Sequence, residues 1–379
     1  MCGPTHPVRP AAIDADPAAA DPAPPPIAPA LLAWARTLER PMPWRGLRDP
    51  YRIWLSEVIL QQTRVAQGVG YYERFVAAYP TVHHLAAATE TEVLALWQGL
   101  GYYSRARNLH RAARRVAHEL SGRFPADYAG LLTLPGVGPY TAAAVASFAY
   151  DEAVPVVDGN VYRVLARYLD RAEPIDTPAG QRAFRGLAEA QLPPDAPAAY
   201  NQAIMDFGAT VCTPRAPACA TCPLRAGCLA LARGTVAERP VKVGKVRRRD
   251  RYFDYVDLRV PATGERLLRR RGPKDIWQGL YDFPLVEGAA GFAERPTVEA
   301  LAARLAGAAA TPVRVRTTPP AKHVLSHQNL FLRFWAFEVA AAADVDEPLA
   351  WLTPGRVAAV GLPRPVERYL HDSTLALDF

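Results

Sequence analysis

The sequence lacks a hydrophobic run long enough for a membrane helix. None of its uninterrupted apolar stretches reaches the ~18 residues that a bilayer-spanning helix needs. The N-terminus also lacks a secretory signal, in which a charged segment precedes an apolar one. Half of the 379 residues are hydrophobic and 21% are charged, which excludes disorder of the whole chain. We therefore expect a soluble, intracellular protein of two or three domains, in the cytoplasm or nucleoid if bacterial.

Cysteine is scarce and concentrated in one place. Of five cysteines, four lie within seventeen residues with the spacing Cys-x6-Cys-x2-Cys-x5-Cys: Cys212, Cys219, Cys222 and Cys228. A secreted disulfide framework would spread its cysteines along the chain, so disulfide bonds are disfavoured. Four neighbouring thiolates can hold a tetrahedral zinc ion or a [4Fe–4S] cluster, and the spacing alone does not choose between them. A structural role for the metal is favoured, because no catalytic group lies between the ligands.

Charge of one sign is in only modest excess. The 44 basic and 37 acidic residues leave a net charge of +7, which permits an acidic partner without requiring one. Residues 242–251 contribute +5 of this charge, with six basic residues and one acid. We interpret residues 236–251 as a basic linker, and a solvated hinge is the alternative.

The hydrophobic pattern divides the chain into regions. Residues 1–28 are rich in Pro and Ala with little to bury, which predicts a disordered tail. Residues 29–235 show helical periodicity almost throughout, whereas residues 252–375 change to alternation. We expect a helical N-terminal domain and a separate α/β C-terminal domain. In the latter the pattern predicts strands at 252–260, 266–270 and 331–337 and a helix at 298–305.

Two carboxyl side chains lie in opposite local surroundings. Asp49 and the following Pro predict a helix start, and Glu57 is the only acid in the helix over 51–63. Apolar neighbours would raise the pKa of Glu57, although a Glu at the edge of the apolar face is the alternative. Asp158 precedes a helical pattern and can cap it, which favours its ionised form, although a purely structural cap is the alternative. A neutral acid beside a carboxylate is the pairing that cleavage of a glycosidic bond needs.

A glycine-rich turn separates two further predicted helices, over 128–132 and 140–150. Its sequence is Leu-Pro-Gly-Val-Gly-Pro-Tyr-Thr, with Gly136 and Gly138 allowing a tight turn and close backbone approach. The N–H groups at the start of the second helix are then free to bind a phosphate oxygen. The pattern therefore predicts a clamp on the DNA backbone that is blind to base sequence, and an ordinary helix–helix turn is the alternative.

Together these motifs resemble the helix–hairpin–helix DNA glycosylases of the endonuclease III superfamily. Within it, Trp-Leu-Ser-Glu-Val-Ile-Leu-Gln-Gln-Thr at 54–63 and Gly-Leu-Gly-Tyr-Tyr-Ser-Arg-Ala-Arg-Asn-Leu at 99–109 are similar to the MutY adenine DNA glycosylases. The resemblance implies a mostly α glycosylase domain with an iron–sulfur loop and an α/β Nudix-like domain, for which Trp277–Pro284 is the clearest match. It further implies a monomer that carries a [4Fe–4S] cluster. Its substrate would be double-stranded DNA with adenine opposite 8-oxoguanine or guanine, from which it hydrolyses the N-glycosidic bond of a flipped adenine nucleotide.

The resemblance also assigns roles to residues. Glu57 would be the general acid toward adenine N7, and Asp158 would stabilise the cationic sugar, with or without a transient covalent bond to it. Asn160 and Tyr140 would support that site. The further matched positions are Trp44, Arg45 and Gln202 near the adenine pocket, Gln62, Thr63 and Tyr102 beside the oxidised guanine, and Ser326 and His327 in a loop that reads this guanine. In that loop Leu325 replaces the family's Phe.

Two other functions stay open on the sequence alone. One is an endonuclease III-like glycosylase with lyase activity. Such enzymes carry a Lys where this chain has Tyr140, and a Tyr cannot form the required imine. The other is a catalytically silent DNA-binding protein, which the presence of both Glu57 and Asp158 disfavours. The C-terminal domain lacks the Glu-rich metal-binding helix of Nudix hydrolases, so we expect no pyrophosphate hydrolysis there.

Overall fold

The computed structural model describes residues 25–244, 247–307 and 311–375. Within these ranges no helix combines the length and hydrophobicity that a bilayer span requires. The helical part contains α1 (Ala28–Ala35), α2 (Pro50–Leu60), α3 (Val65–Ala78), α4 (Val82–Ala87), α5 (Glu90–Leu96), α6 (Ser104–Glu119), α7 (Tyr128–Leu132), α8 (Pro139–Tyr150), α9 (Gly159–Tyr168), α10 (Pro178–Gln191), α11 (Pro197–Thr210) and α12 (Leu229–Ala232).

The helical part forms two lobes, each with its own hydrophobic core. Helices α2–α8 surround a core that includes Trp54, Phe75 and Trp97. Helices α1 and α9–α11 surround a second core that includes Phe184 and Phe207. Helix α8 contacts α2 of the first lobe and α11 of the second. A cleft therefore lies between the lobes, with α2, α8 and α11 at its walls.

The predicted disordered tail is too long at its C-terminal end. Residues 1–24 lie outside the described residues, but the residues just before α1 are packed. Ile27 is fully buried in the second core, and the hydroxyl of Tyr168 donates to the carbonyl oxygen of Pro25 at 2.9 Å. The prediction of residues 25–28 as tail is wrong, because Ile27 finds its apolar partners far away in the sequence.

The helix start predicted at Asp49 is confirmed, whereas its predicted end is not. The Asp49 carboxylate accepts a hydrogen bond from the N–H of Tyr51 at 2.9 Å, and α2 begins at the following Pro. Helix α2 ends at Leu60 instead of residue 63. Gln62 has a φ of 56°, a left-handed conformation that a helix cannot contain.

The C-terminal part is one curved sheet between helices. Its elements are β1 (Arg249–Arg259), β2 (Arg266–Arg270), β3 (Tyr281–Asp282), β4 (Leu285–Gly288), α13 (Arg295–Ala306), β5 (Val313–Thr317), β6 (Ala321–Val324), β7 (Gln328–Glu338), β8 (Leu349–Leu352), α14 (Pro354–Ala358) and α15 (Arg364–Leu375). The strands follow the order β3-β2-β1-β7-β5, with β1 and β7 parallel. Phe253 and Tyr255 face a core that contains α15 residues, and Val256 and Leu258 face α13. The alternation predicted for these strands is thus confirmed.

The predicted linker over 236–251 is partly built into the two domains. The N–H of Ile175 donates to the carbonyl oxygen of Val241 at 3.1 Å, and the Asp176 carboxylate accepts from the N–H groups of Val243 and Gly244. Strand β1 begins at Arg249, before the boundary that alternation predicted. Hydrogen bonds of its backbone attach this basic segment to both domains. Amino-acid composition does not predict such bonds.

Contacts also join the two domains directly. The N–H of Leu362 donates to Gln98 Oε1 at 2.9 Å, and Arg107 Nη1 donates to the carbonyl oxygen of Gln278 at 2.7 Å. Leu280 of the C-terminal domain is buried in the first helical core. Arg107 is therefore committed to the domain interface.

Candidate active site

Glu57 is a buried carboxyl on the central turn of α2. Its side chain is 6% exposed, so the alternative of a solvent-reaching edge residue is wrong. Burial is the largest effect and raises the pKa of Glu57 to about 7, and the nearby charge of Asp158 adds to the rise. The hydroxyl of Tyr140, at the start of α8, donates to Glu57 Oε2 at 2.5 Å and opposes this rise. The carboxyl can therefore hold a proton near neutral pH and release it to a base.

Asp158 caps α9, as its position in the sequence predicts. Its Oδ1 accepts from the backbone N–H groups of Asn160 and Val161, both at 2.8 Å, and its Oδ2 accepts from Asn160 Nδ2 at 2.7 Å. These bonds favour the carboxylate, but burial is the larger effect and raises the pKa of Asp158 above its ordinary value. The capping bonds act in the direction that the sequence predicts, but burial, which the sequence does not show, outweighs them.

Asn160 is held in place by a second connection. Its Oδ1 accepts from Arg163 Nη2 at 2.8 Å, and Arg163 Nε donates to the carbonyl oxygen of Cys212 at 2.7 Å. Asp158, Asn160, Arg163 and the first residue of the cysteine loop are therefore joined by a continuous set of hydrogen bonds.

The three central groups act on one another electrostatically. The charge of Asp158 raises the pKa of Glu57, and both carboxylates raise the pKa of Tyr140. Tyr140 and Glu57 are also in direct hydrogen-bond contact. Glu57 also lines a cavity of about 200 Å³ between the lobes. That volume is below the roughly 300–1,000 Å³ of drug-sized ligand sites, and it suits a small group.

The cavity contains the three residues that the resemblance matched to an adenine pocket. Trp44, Arg45 and Gln202 all line it with Glu57. Trp44 lies beneath the surface and packs edge-on against Tyr72, with ring centroids 5.2 Å apart. Because α2 and α11 belong to different lobes, only the fold brings these residues together.

Gln62, Thr63 and Tyr102 are brought together by a buried arginine. Arg105 Nη1 donates to the carbonyl oxygens of Val58, Ile59 and Gln61 at 2.9, 3.0 and 2.5 Å. Its Nη2 lies 3.5 Å from Thr63 Oγ1 and 3.4 Å from the carbonyl oxygen of Gly101. Arg105 thus ties the end of α2 to the turn before α6, which contains Gly101 and the exposed Tyr102.

The neighbouring residues Gln62 and Tyr102 adopt unusual backbone conformations. Their φ values are 56° and 46°, and Tyr102 is 47% exposed. Left-handed backbone at a Gln and a Tyr costs free energy, and such positions concentrate at functional sites. The two strained residues therefore lie at the same edge of the helical domain, held by one guanidinium group.

The loop with Ser326 and His327 faces this edge from the C-terminal domain. A cavity of about 490 Å³ is lined by Tyr102, Trp277, Leu325, Ser326 and His327. Ser326 Oγ and His327 Nδ1 are 3.2 Å apart. Leu325, at the position where the family has a Phe, packs partly against the core of its own domain. The loop and the helical edge therefore border a single cavity between the domains.

The glycine-rich turn has the shape that its sequence predicts. Helices α7 and α8 contact each other and form a hairpin. Gly136 has a φ of 74°, and a Cβ there would come within 2.4 Å of Asn108. Gly138 is the N-cap of α8, and no side chain of the described residues caps that end. The first N–H groups of α8 are therefore available to a phosphate.

The four cysteines line one small cavity beside α9. Burial raises the pKa of Cys222 to about 11, and the charges of the other three thiols add to the rise. Arg167 Nη1 lies 3.5 Å from Cys212 Sγ. In the described ranges no group of three or more His, Cys, Asp or Glu side chains is arranged around a single metal ion. The donor set, four soft thiols converging from one loop, fits a sulfur-ligated group.

Two parts of the chain match known families. Residues 55–182 match the HhH-GPD superfamily of base excision DNA repair proteins, and residues 258–372 match the NUDIX domain. The adenine DNA glycosylase of Mycolicibacterium smegmatis is 44% identical over 215 residues, which cover 55% of this chain and 72% of that protein. The chain belongs to the adenine DNA glycosylase family. Membership in this family confirms the resemblance and the fold class that the motifs predicted.

Other relatives share the same helical part. The human adenine DNA glycosylase is 46% identical over 210 residues, or 53% of this chain and 38% of that protein. The chain thus spans about two fifths of the length of its mammalian relatives. A solved structure of a thermostable thymine-DNA glycosylase gives a TM-score of 0.51 at 31% identity, covering 55% of this chain and 95% of that one. The helical glycosylase fold is therefore shared with an enzyme named for a different base.

Sequence reasoning missed two buried charged residues that contact predicted site residues. Arg105 lies in the glycine-rich motif at 99–109, but its pattern does not distinguish it from the solvated arginines of α6. Asp206, on α11, is 2% exposed and accepts from Arg45 Nη2 at 2.7 Å. Its only sequence signal is an acid within the apolar run of α11, four residues after Gln202.

Proposed function

We propose that this chain is a monofunctional adenine DNA glycosylase that excises adenine mispaired with 8-oxoguanine or guanine in base-excision repair. One observation carries the proposal. A buried Glu57 with a pKa of about 7 accepts from Tyr140, and the charge of the capped Asp158 adds to the rise of this pKa, in a chain of the adenine DNA glycosylase family. Every step of the proposed reaction depends on this pairing of a neutral acid with an anion.

In the proposed reaction, protonated Glu57 donates its proton to N7 of a flipped adenine. The bond between N9 and the sugar then breaks, and the leaving base departs as neutral adenine. Asp158 stabilises the positive charge that develops on the sugar, and Asn160 keeps its carboxylate in position. A water molecule then adds to the sugar carbon and gives up one proton, which restores protonated Glu57, so the products are free adenine and an abasic site. Trp44, Arg45 and Gln202 hold the base in the cavity.

The proposed substrate is double-stranded DNA, bound by a monomer. Gly136 and Gly138 present backbone N–H groups to a phosphate, which positions the duplex without reading its sequence. Gln62, Thr63 and Tyr102 meet the guanine opposite the adenine from the helical domain, and Ser326 and His327 meet it from the other side of the 490 Å³ cavity. Residues 29–235 are then the glycosylase domain and residues 252–375 the lesion-recognition domain. Such an enzyme works where chromosomal DNA is, in the nucleoid if the source is bacterial.

We also propose that Cys212, Cys219, Cys222 and Cys228 hold a [4Fe–4S] cluster. Four thiolates are the usual ligands of such a cluster, and the family resemblance favours iron over zinc. Bound there, the cluster cross-links the loop after α11. The purified protein should then be brown and contain iron and sulfide; colourless protein with zinc would contradict this proposal.

The direct test is release of adenine from duplexes in single turnover. Adenine opposite 8-oxoguanine should be excised fastest and opposite guanine next, while cytosine or thymine in place of the adenine should stay intact. Borohydride should trap no covalent protein–DNA complex, because Tyr140 cannot form an imine. Excision of oxidised pyrimidines with efficient trapping would favour the lyase instead, and binding without excision would favour the silent protein.

A further inference from the structure

Asp206 is a buried carboxylate that the proposed chemistry does not use. It lies on α11 with 2% exposure, and both its oxygens are occupied. Oδ1 forms an ion pair with Arg40, and Oδ2 accepts from Arg45 Nη2 at 2.7 Å and from Gln202 Nε2 at 3.3 Å. Arg45 and Gln202 line the cavity that contains Glu57, whereas Arg40 does not. Asp206 is therefore linked to the cavity only through two of its polar residues.

The contact with Asp206 fixes which end of the Gln202 amide faces the carboxylate. A carboxylate held by two guanidinium groups only accepts hydrogen bonds, so the NH2 end of the amide must face it. The carbonyl oxygen Oε1 then points away from Asp206, and it has no partner among the described residues. Gln202 accordingly offers the cavity an acceptor.

This acceptor matches the 6-amino group of adenine and opposes the 6-oxo group of hypoxanthine and guanine. Adenine carries an amine at position 6, which donates, together with ring nitrogens that accept. Hypoxanthine and guanine carry a carbonyl oxygen at position 6, which would face another acceptor and leave both unsatisfied. We propose that Asp206 is a positioning residue for specificity: by holding the Gln202 amide in one orientation, it makes the cavity select a 6-amino purine. This proposal rests on the proposed function and names a positioning residue for it.

The test compares single-turnover release of adenine with release of hypoxanthine, each opposite 8-oxoguanine. In Asp206→Asn the new amide can present either end to Gln202, so the Gln202 amide can turn over. The ratio of the adenine rate to the hypoxanthine rate should fall roughly tenfold, the factor for one ordinary hydrogen bond. Unsubstituted purine, with neither donor nor acceptor at position 6, reports any general loss of activity in the same variant.

Two controls separate specificity from structure. Arg40→Met removes an ion pair of Asp206 but leaves its contacts to Arg45 and Gln202, so it should lower the melting temperature and leave the ratio unchanged. Gln202→Met removes the amide, and in that background Asp206→Asn should change the ratio no further. If Asp206→Asn alone does not fold, the pair Asp206→Asn with Arg40→Gln removes the buried charge together with one partner and carries the same prediction.

The outcomes distinguish the two proposals. A wild-type ratio in an Asp206→Asn variant that still releases purine would overturn the role of Asp206 and leave the glycosylase activity standing. The role of Asp206 would also be overturned if Asp206→Asn lowered the ratio of adenine to hypoxanthine release equally in the wild-type and the Gln202→Met backgrounds. Such a result would mean that Asp206 does not act through the Gln202 amide. No release of adenine by the wild-type protein would instead refute the proposed function itself.

Discussion

Replacing Tyr140 by Phe should raise the pKa of Glu57 above about 7 and extend adenine release to higher pH. The Tyr140 hydroxyl donates to Glu57 Oε2 at 2.5 Å, which stabilises the carboxylate and lowers the pKa. Phe keeps the ring and therefore keeps the burial that raises the pKa. Since Glu57 works as a protonated acid, a higher pKa keeps it active at higher pH.

The size of the shift follows from the energy of that hydrogen bond. A hydrogen bond to a charged group contributes about 1.5–3 kcal/mol, and one pKa unit corresponds to about 1.4 kcal/mol. Protonated Glu57 can also bond to the Tyr140 hydroxyl, so only part of this energy distinguishes the two states. We expect the alkaline limb of the rate profile to move up by about one pH unit.

The assay is single-turnover adenine release across the neutral and alkaline range, with each enzyme normalised to its own plateau. Tyr200→Phe is the matched control, because the Tyr200 hydroxyl is also buried but has no hydrogen-bond partner in the described ranges. Its profile should coincide with that of the wild type. An unchanged alkaline limb in Tyr140→Phe, or a limb at lower pH, would refute the assignment of Glu57 as the titrating acid.

Three further predictions concern the same site. Asp158→Asn should lower the rate of excision by about 10²–10³-fold, because it removes the charge opposite the cationic sugar. It should cost at most about 1 kcal/mol of stability, because Asn caps helices as well as Asp does. A single-turnover rate and a melting curve check the two effects, and a large loss of stability would contradict the prediction. Glu57→Gln should stabilise the protein at pH values above about 7 but not at pH values below 4.5, the ordinary pKa of Glu. The raised pKa of Glu57 means that its ionisation destabilises the folded state as the pH rises from 4.5 to 7. Denaturation at both ends of this pH interval measures the gain in stability, up to about 3 kcal/mol, and equal gains at both ends would contradict the prediction. Arg105→Met should cost about 3 kcal/mol or more of stability, because it leaves buried carbonyl oxygens without donors. It should also reduce the preference for 8-oxoguanine over guanine. Arg111→Met on the same helix is the control, and unchanged stability in Arg105→Met would disprove the role given to the Arg105 hydrogen bonds.

Local physical rules predict the parts of the site that depend on neighbouring residues. A capping Asp before a helical pattern, or a Pro after Asp49, has its partners within three residues. The glycine-rich turn is equally local, because its tight geometry follows from Gly136, where a φ of 74° suits a residue without a Cβ. Short stretches of the amino-acid sequence therefore suffice to predict these features.

The missing parts depend on contacts between distant residues. Asp206 meets Arg45 across 161 residues and Arg105 meets Val58 across 47, and no periodicity encodes which buried charge finds which partner. The ionisation of Asp158 escapes local rules for the same reason, since its burial comes from the fold around it. Ile27 resembles a tail residue in the sequence because its burial partners lie on α9–α11.

The most direct test of the central claim is adenine release by Glu57→Gln on a duplex with adenine opposite 8-oxoguanine. Gln keeps the shape and can still accept from Tyr140, but it has no proton to give. We predict that the variant binds this duplex like the wild type and releases no adenine in a single turnover. Release at a rate close to that of the wild type would contradict the account, whatever the fold and the family.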